Sequence, residues 1–183
     1  MAESAKGSAR PRRPAVFLDR DGVINVDRGY VASRADFKWI PGAIQAIKAL
    51  NDAGYYVFVA TNQSGIARGL YTEREMHALH GYIVRELAKK GAHIDDWRHS
   101  PFHPEGTVIA FKRTSDWRKP RPGMILDLLQ SWPVDRARSV LIGDKESDLA
   151  AARAAHVRGL RFCGGDLLAF VRAQVLGARP QIS

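Results

Sequence analysis

The chain has 183 residues, one cysteine and a formal net charge of +9. That length suits one well-buried domain rather than two, and a single cysteine excludes an internal disulfide. No apolar stretch approaches the roughly 18 residues of a membrane span, and the N-terminus lacks the apolar centre of a secretory signal, so a cytoplasmic protein is expected.

Residues 1–13 carry Lys6, Arg10, Arg12 and Arg13 against Glu3, without hydrophobic periodicity, and read as a disordered basic tail preceding a domain over 14–183. Removing that +3 leaves +6 on the domain, a field that draws in anionic ligands such as phosphorylated metabolites or nucleic acid. Ala15 to Leu18 is an apolar run with strand character, followed by a polar loop to about Phe37. Pro41-Gly42 opens a helix over Ala43 to Asp52, with Ile44, Ile47 and Leu50 on one face. Tyr55 to Ala60 is the second strand. Thr72-Glu73-Arg74-Glu75 has the spacing of a capping box and starts a helix carrying Met76, Leu79, Ile83 and Leu87.

Ile94 to His99 is a weaker strand, and Ser100 to Arg118 reads mostly as loop. Pro122-Gly123 begins another helix. Val140 to Ile142 is a short buried strand, Asp148 to His156 an Ala-rich helix, Leu160 to Cys163 a last strand, and Asp166 to Val175 a closing helix. Cys163 is expected in the core as a small apolar residue. Strand–helix alternation of this kind predicts a single doubly wound α/β domain: a central parallel sheet, order five-four-one-two-three, with helices on both faces. The 40-odd residues between Asp19 and Thr61, and the stretch from Thr61 to Lys119, leave no room for a large cap domain.

Every polar cluster follows the carboxyl end of a strand, where open α/β sheets place their chemistry. The first strand runs into Asp19-Arg20-Asp21-Gly22. Alternation along the strand leans Asp19 and Asp21 the same way, and two such carboxylates repel unless a cation or a proton intervenes. Mg²⁺ beside a phosphate resolves that conflict, although a capped loop after a buried strand accounts for a lone DxD equally well. The second strand leads to Thr61-Asn62-Gln63-Ser64-Gly65, a hydroxyl, two amides and Gly-freed N–H groups suited to an oxyanion, or to a polar turn. Arg118-Lys119-Pro120 offers a guanidinium fork and a point charge. Gly143-Asp144-Lys145-Glu146-Ser147-Asp148 supplies further acids after the fourth strand.

Taken in order, these four segments resemble the motifs of the haloacid dehalogenase superfamily. FLDRDGVINVDRGYV, VATNQSGIARGLYT, RKPRPGM and IGDKESD resemble the D-glycero-D-manno-heptose 1,7-bisphosphate phosphatase family over roughly Val16 to Phe162. The resemblance implies a Mg²⁺-dependent phosphatase that removes the C7 phosphate of the heptose bisphosphate for lipopolysaccharide or glycan precursor synthesis. It implies Asp19 as the nucleophile and Asp21 as general acid and base. Mg²⁺ would lie on the Asp19 and Asp144 carboxylates and the Asp21 carbonyl, with Asp148 supporting from behind. Thr61 and Lys119 would hold the transferring phosphoryl group. Asp27, Arg28, Gly29, Tyr30, Thr61, Asn62, Gln63, Ser64, Arg118, Lys119 and Lys145 match substrate-contacting positions. Histidinol-phosphate phosphatase and polynucleotide 3′-phosphatase share these motifs and remain alternatives, as does a phosphate-binding scaffold without catalysis. A small phosphorylated sugar is the expected partner of a monomer, with neither nucleic acid nor membrane.

One departure stands out. Where members of the family carry zinc ligands before the RKP motif, this chain has Ser100, Phe102, Ser115 and Trp117. A tetrahedral zinc site needs thiolate or imidazole, so no zinc is expected. Phe102 and Trp117 are expected to hold the loop by burying apolar area instead. His77 and His80, three apart on a helix without an acidic partner, are expected at surface or half-buried positions rather than on a metal.

Overall fold

The computed structural model describes residues 11–177. The sheet has five parallel strands in the order β3-β2-β1-β4-β5: β1 Ala15–Leu18, β2 Tyr56–Asn62, β3 Asp96–Ser100, β4 Val140–Gly143 and β5 Arg158–Arg161. The helices are α1 Ala43–Asp52, α2 Glu73–Ala88, α3 Gly123–Ser131, α4 Glu146–Ala154 and α5 Leu167–Val171, the last continuing as a π-helical turn over Arg172–Leu176.

Strand alternation sorts the core into two layers. Val16, Leu18, Val57 and Val59 pack against α1, α2 and α5, while Ala15, Phe17, Tyr56 and Phe58 pack against α3 and α4. β1 and β2, buried on both faces, therefore read as unbroken apolar runs. The expected doubly wound architecture, strand order and lack of a large cap are all present in the described residues. The capping box also forms: Thr72 N–H donates to Glu75 Oε2 at 2.7 Å, and Glu75 N–H to Thr72 Oγ1 at 3.2 Å.

Three local expectations are corrected. β5 lies two residues earlier than the sequence suggests. It is an edge strand whose register against β4 (Val140 beside Arg158, Gly143 beside Arg161) sets its limits, and apolar content does not. Cys163, just past that edge, is exposed, because Phe162 takes the inward position and Gly164-Gly165 turn the chain away. Arg13 belongs to the fold and not to a tail: it bridges to Val134, donates through Nε to the Gly54 carbonyl at 2.7 Å, and covers the Tyr56 ring at 4.3 Å. Residues 1–10 of the expected tail lie outside the described residues.

Candidate active site

The carboxyl ends of β1, β2 and β4 and the loop before α3 converge on one cleft of about 560 Å³. Asp19 follows β1 directly and is nearly buried. One carboxylate oxygen from each of Asp19, Asp144 and Asp148 lies within 4.8 Å of the others, the one such acidic or imidazole cluster among the described residues. Burial pushes the Asp19 carboxyl up to about 7; Lys119 pulls against that shift, while Asp148 and Asp21 add to it. Burial also raises the Asp144 carboxyl, with Lys145 opposing and Asp148 adding.

Two glycines make this convergence possible. A β-carbon on Gly22 would sit 2.3 Å from Asp144 Oδ2, and one on Gly143 would sit 2.2 Å from the Asp148 β-carbon. Gly22 also has φ +87°, the left-handed region that a side chain resists.

Lys119 is buried between these acids. Its ammonium lies 2.6 Å from Asp148 Oδ1 and 3.1 Å from Asp19 Oδ1, and donates to the Ala60 carbonyl at 2.7 Å. Burial alone would lower its pKa, yet Asp19 and Asp148 hold it above the ordinary value. Its loop is clamped to the end of β2: Asn62 Nδ2 donates to the Lys119 carbonyl, and Lys119 N–H to Asn62 Oδ1, both at 3.0 Å.

The opposite wall is the loop after the DxD. Gly29 N–H donates to Asp27 Oδ1 at 2.9 Å, a turn that presents Tyr30 at the cleft, half exposed and with φ +54°. Lys145 Nζ reaches across from β4 to Asp27 Oδ2 at 2.8 Å. Burial would lower the Lys145 ammonium, but Asp27 and Asp144 hold it above its usual value; Asp27 in turn is lowered, its own burial outweighed by Lys145 and Gly29.

Of the positions carried over from the resemblance, Asp19, Asp21, Asp27, Gly29, Tyr30, Asn62, Ser64, Arg118, Lys119, Lys145 and Asp148 line the cleft. Four do not. Arg28 is exposed outside it. Thr61, at the end of β2, is buried and accepts from Gln63 Nε2 at 2.9 Å. Gln63 is consumed internally: Nε2 also donates to Asp21 Oδ2 at 3.0 Å, and Oε1 accepts from Tyr71 Oη at 2.6 Å. Asp144 lies beneath Gly22. Tyr71, Pro120 and Ser147 also line the cleft; they lie within the quoted motifs, but none of them was assigned a role from the sequence.

The loop lacking zinc ligands is held partly as expected. Phe102 packs on Phe111 at 6.1 Å, with Arg113 over its ring at 4.2 Å. Trp117 does not join it and is 36% exposed.

A HAD-hydrolase-like family profile matches residues 116–164. A D-glycero-beta-D-manno-heptose-1,7-bisphosphate 7-phosphatase from Rhodopseudomonas palustris is 54% identical over 169 residues, 92% of this chain and 93% of that protein. The chain belongs to this phosphatase family. It is accordingly a phosphoric monoester hydrolase of HAD type. The like-named protein of Escherichia coli (strain K12) is 44% identical over 144 residues, covering 79% of this chain and 75% of its own length. A crystal structure of D,D-heptose 1,7-bisphosphate phosphatase from B. bronchiseptica, complexed with magnesium and phosphate, superposes with a TM-score of 0.75 at 34% identity, covering 92% of this chain and 89% of that one.

Proposed function

We propose that the protein is a Mg²⁺-dependent phosphatase that removes the C7 phosphate of D-glycero-D-manno-heptose 1,7-bisphosphate. The observation that supports this most directly is the meeting of Asp19, Asp144 and Lys119 at one sheet edge, in a chain 54% identical to a phosphatase of that name. The donor set suits a hard cation. All three clustered groups are carboxylates, two of them with raised pKa values, and the buried Asp144 Oδ1 has no hydrogen-bond partner. Asp19, Asp144 and the Asp21 carbonyl would hold Mg²⁺, which neutralises phosphate charge and so lets an anionic nucleophile approach. Asp148, already paired with Lys119 and accepting from Lys145 N–H at 3.0 Å, would orient the site from behind.

In the first step an Asp19 carboxylate oxygen attacks phosphorus in line. The bond from phosphorus to the C7 oxygen breaks as Asp21 passes its proton to the departing alkoxide. In the second step the Asp21 carboxylate takes a proton from water, whose oxygen attacks phosphorus. The Asp19–phosphorus bond then breaks and inorganic phosphate leaves. Lys119 spreads positive charge over the equatorial oxygens, the main electrostatic demand of phosphoryl transfer. Arg118, Tyr30 and Lys145 line the side where a sugar and its second phosphate would lie. A charged sugar phosphate does not cross a bilayer unaided, so this reading carries with it a cytoplasmic enzyme in glycan precursor synthesis.

The test is turnover of heptose 1,7-bisphosphate, histidinol phosphate and a 3′-phosphorylated oligonucleotide, each with and without Mg²⁺. Mg²⁺-dependent release from the heptose ester, at a kcat/KM at least about tenfold above the other two, is the expected result. Preference for either alternative ester would overturn the substrate assignment.

A further inference from the structure

Arg20, the residue between the two aspartates, is the largest fully buried side chain among the described residues. Its guanidinium forks onto its neighbour: Nε lies 3.3 Å from Asp21 Oδ1 and Nη2 3.0 Å from Asp21 Oδ2. Nη2 also donates to the Val31 carbonyl, and Nη1 points at His80 Nε2 at 3.3 Å. An arginine offers only donors, so His80 Nε2 must accept and its remaining proton sits on Nδ1. His80, expected at a surface or half-buried position, is instead buried on α2 and stacks on Trp97, with ring centroids 4.3 Å apart and planes at 26°. The guanidinium is thus fixed at three points: its neighbour's carboxylate, a main-chain carbonyl and a neutral imidazole locked by an indole.

A buried ion pair between adjacent residues contributes little net stability, and apolar side chains of similar volume would fill the space as well. What the arrangement does provide is orientation. Asp21 receives further bonds from Asn25 Nδ2 at 2.9 Å and Gln63 Nε2 at 3.0 Å, so each of its oxygens has donors set by other elements while 16% of the side chain stays open to the cleft.

We propose that Arg20 and His80 are positioning residues for Asp21: the imidazole fixes the guanidinium, and the guanidinium fixes the carboxylate at the height where it meets the leaving oxygen. This rests on the reading of Asp21 as general acid and base. The consequence is specific to poor leaving groups. A sugar alkoxide needs a proton delivered as its bond to phosphorus breaks, whereas a nitrophenolate departs without one, so misplacing Asp21 slows the first step for the sugar ester and spares it for the nitrophenyl ester; the second step, with Asp21 as base, is common to both.

The experiment follows release of the leaving group in a single turnover, which reports the first step alone, and compares wild type with His80→Phe, His80→Gln and Arg20→Lys on heptose 1,7-bisphosphate and on 4-nitrophenyl phosphate. His80→Phe keeps the stack on Trp97 but offers no acceptor. It is expected to lower the single-turnover rate on the heptose ester about tenfold with KM within about twofold, and that on the nitrophenyl ester less than about threefold. His80→Gln, which restores an acceptor, is expected to recover at least about a third of the lost turnover. Arg20→Lys, which keeps the buried charge without the fork, gives the same ester-dependent loss and serves if His80→Phe does not fold. Equal losses on both esters, or no loss in any folded variant, would overturn the inference. Asp21→Asn separates the two readings. A leaving-group-dependent loss there but not in the Arg20 or His80 variants overturns the positioning role alone; a uniform loss in all of them overturns the acid assignment with it.

Discussion

Gly22 lies against Asp144 so closely that the two segments could not meet if residue 22 carried a β-carbon, which would stand 2.3 Å from Oδ2. The contact joins the DxD loop to the end of β4 and sets the height at which Asp144 sits.

Gly22→Ala should therefore displace Asp144. Part of the cost is conformational, because φ +87° is strained for alanine by roughly 1–2 kcal/mol; the rest is the clash. The expected outcome is a Tm lowered by several degrees together with a weakened Mg²⁺ requirement curve, the activating concentration rising at least about tenfold. Magnesium titration of turnover, with melting curves alongside, checks both.

Lys119→Met removes the ammonium shared by Asp19 and Asp148 and leaves two buried carboxylates without their counter-charge. Breaking a buried pair from one side typically costs about 3–5 kcal/mol. Urea unfolding should show a loss of that order, and on the proposed mechanism kcat should fall at least about 100-fold, since that mechanism has the ammonium spread charge over the phosphoryl oxygens. Wild-type stability in this variant would mean that the ammonium is not held as described.

His80 gives the fold a specific acid sensitivity. Burial, then the Arg20 charge, with His99 and His77 adding, lowers its pKa to about 2. In the unfolded chain it titrates near ~6.5. Below that value the unfolded chain binds a proton that the native one refuses, so stability is complete above about pH 6.5 and falls as pH drops, by at most about 1.4 kcal/mol per unit. His80→Gln lacks this component. Unfolding free energies at pH 7.5, 6.5 and 5.5 should fall less steeply for the variant; identical slopes would place the imidazole in contact with solvent.

The loop before Lys119 should be indifferent to zinc. Ser100, Phe102, Ser115 and Trp117 supply no thiolate or imidazole, and Phe102 packs on Phe111 instead. Elemental analysis of purified protein is expected to find no stoichiometric zinc, and a zinc-selective chelator to leave turnover and Tm unchanged. EDTA, by contrast, should abolish turnover until Mg²⁺ is restored.

The sequence was most informative where burial imposes a pattern. β1 and β2 are sealed on both faces, so their apolar runs reveal them, and α1 shows its helical period because one face meets the sheet. β5 begins two residues before its apolar residues suggest, because an edge strand rich in Arg and Gly has little apolar content to announce it. Cys163, whose apolar character alone suggests a core position, lies exposed past that edge.

Within the site, motif order alone pointed to Asp19, Asp21, Lys119 and Asp144: the three aspartates come directly after β1 or β4, and Lys119 lies in the loop before α3. Folding decided how the polar side chains are shared. Nothing in the run TNQS tells whether the Gln63 amide faces a ligand or, as here, is taken up by Asp21, Thr61 and Tyr71. Nor does DRDG tell whether Arg20 points to solvent. Its burial depends on Val31 and His80 arriving from elsewhere in the chain, and the free energy of a buried guanidinium is decided by those partners, not by its neighbours in sequence.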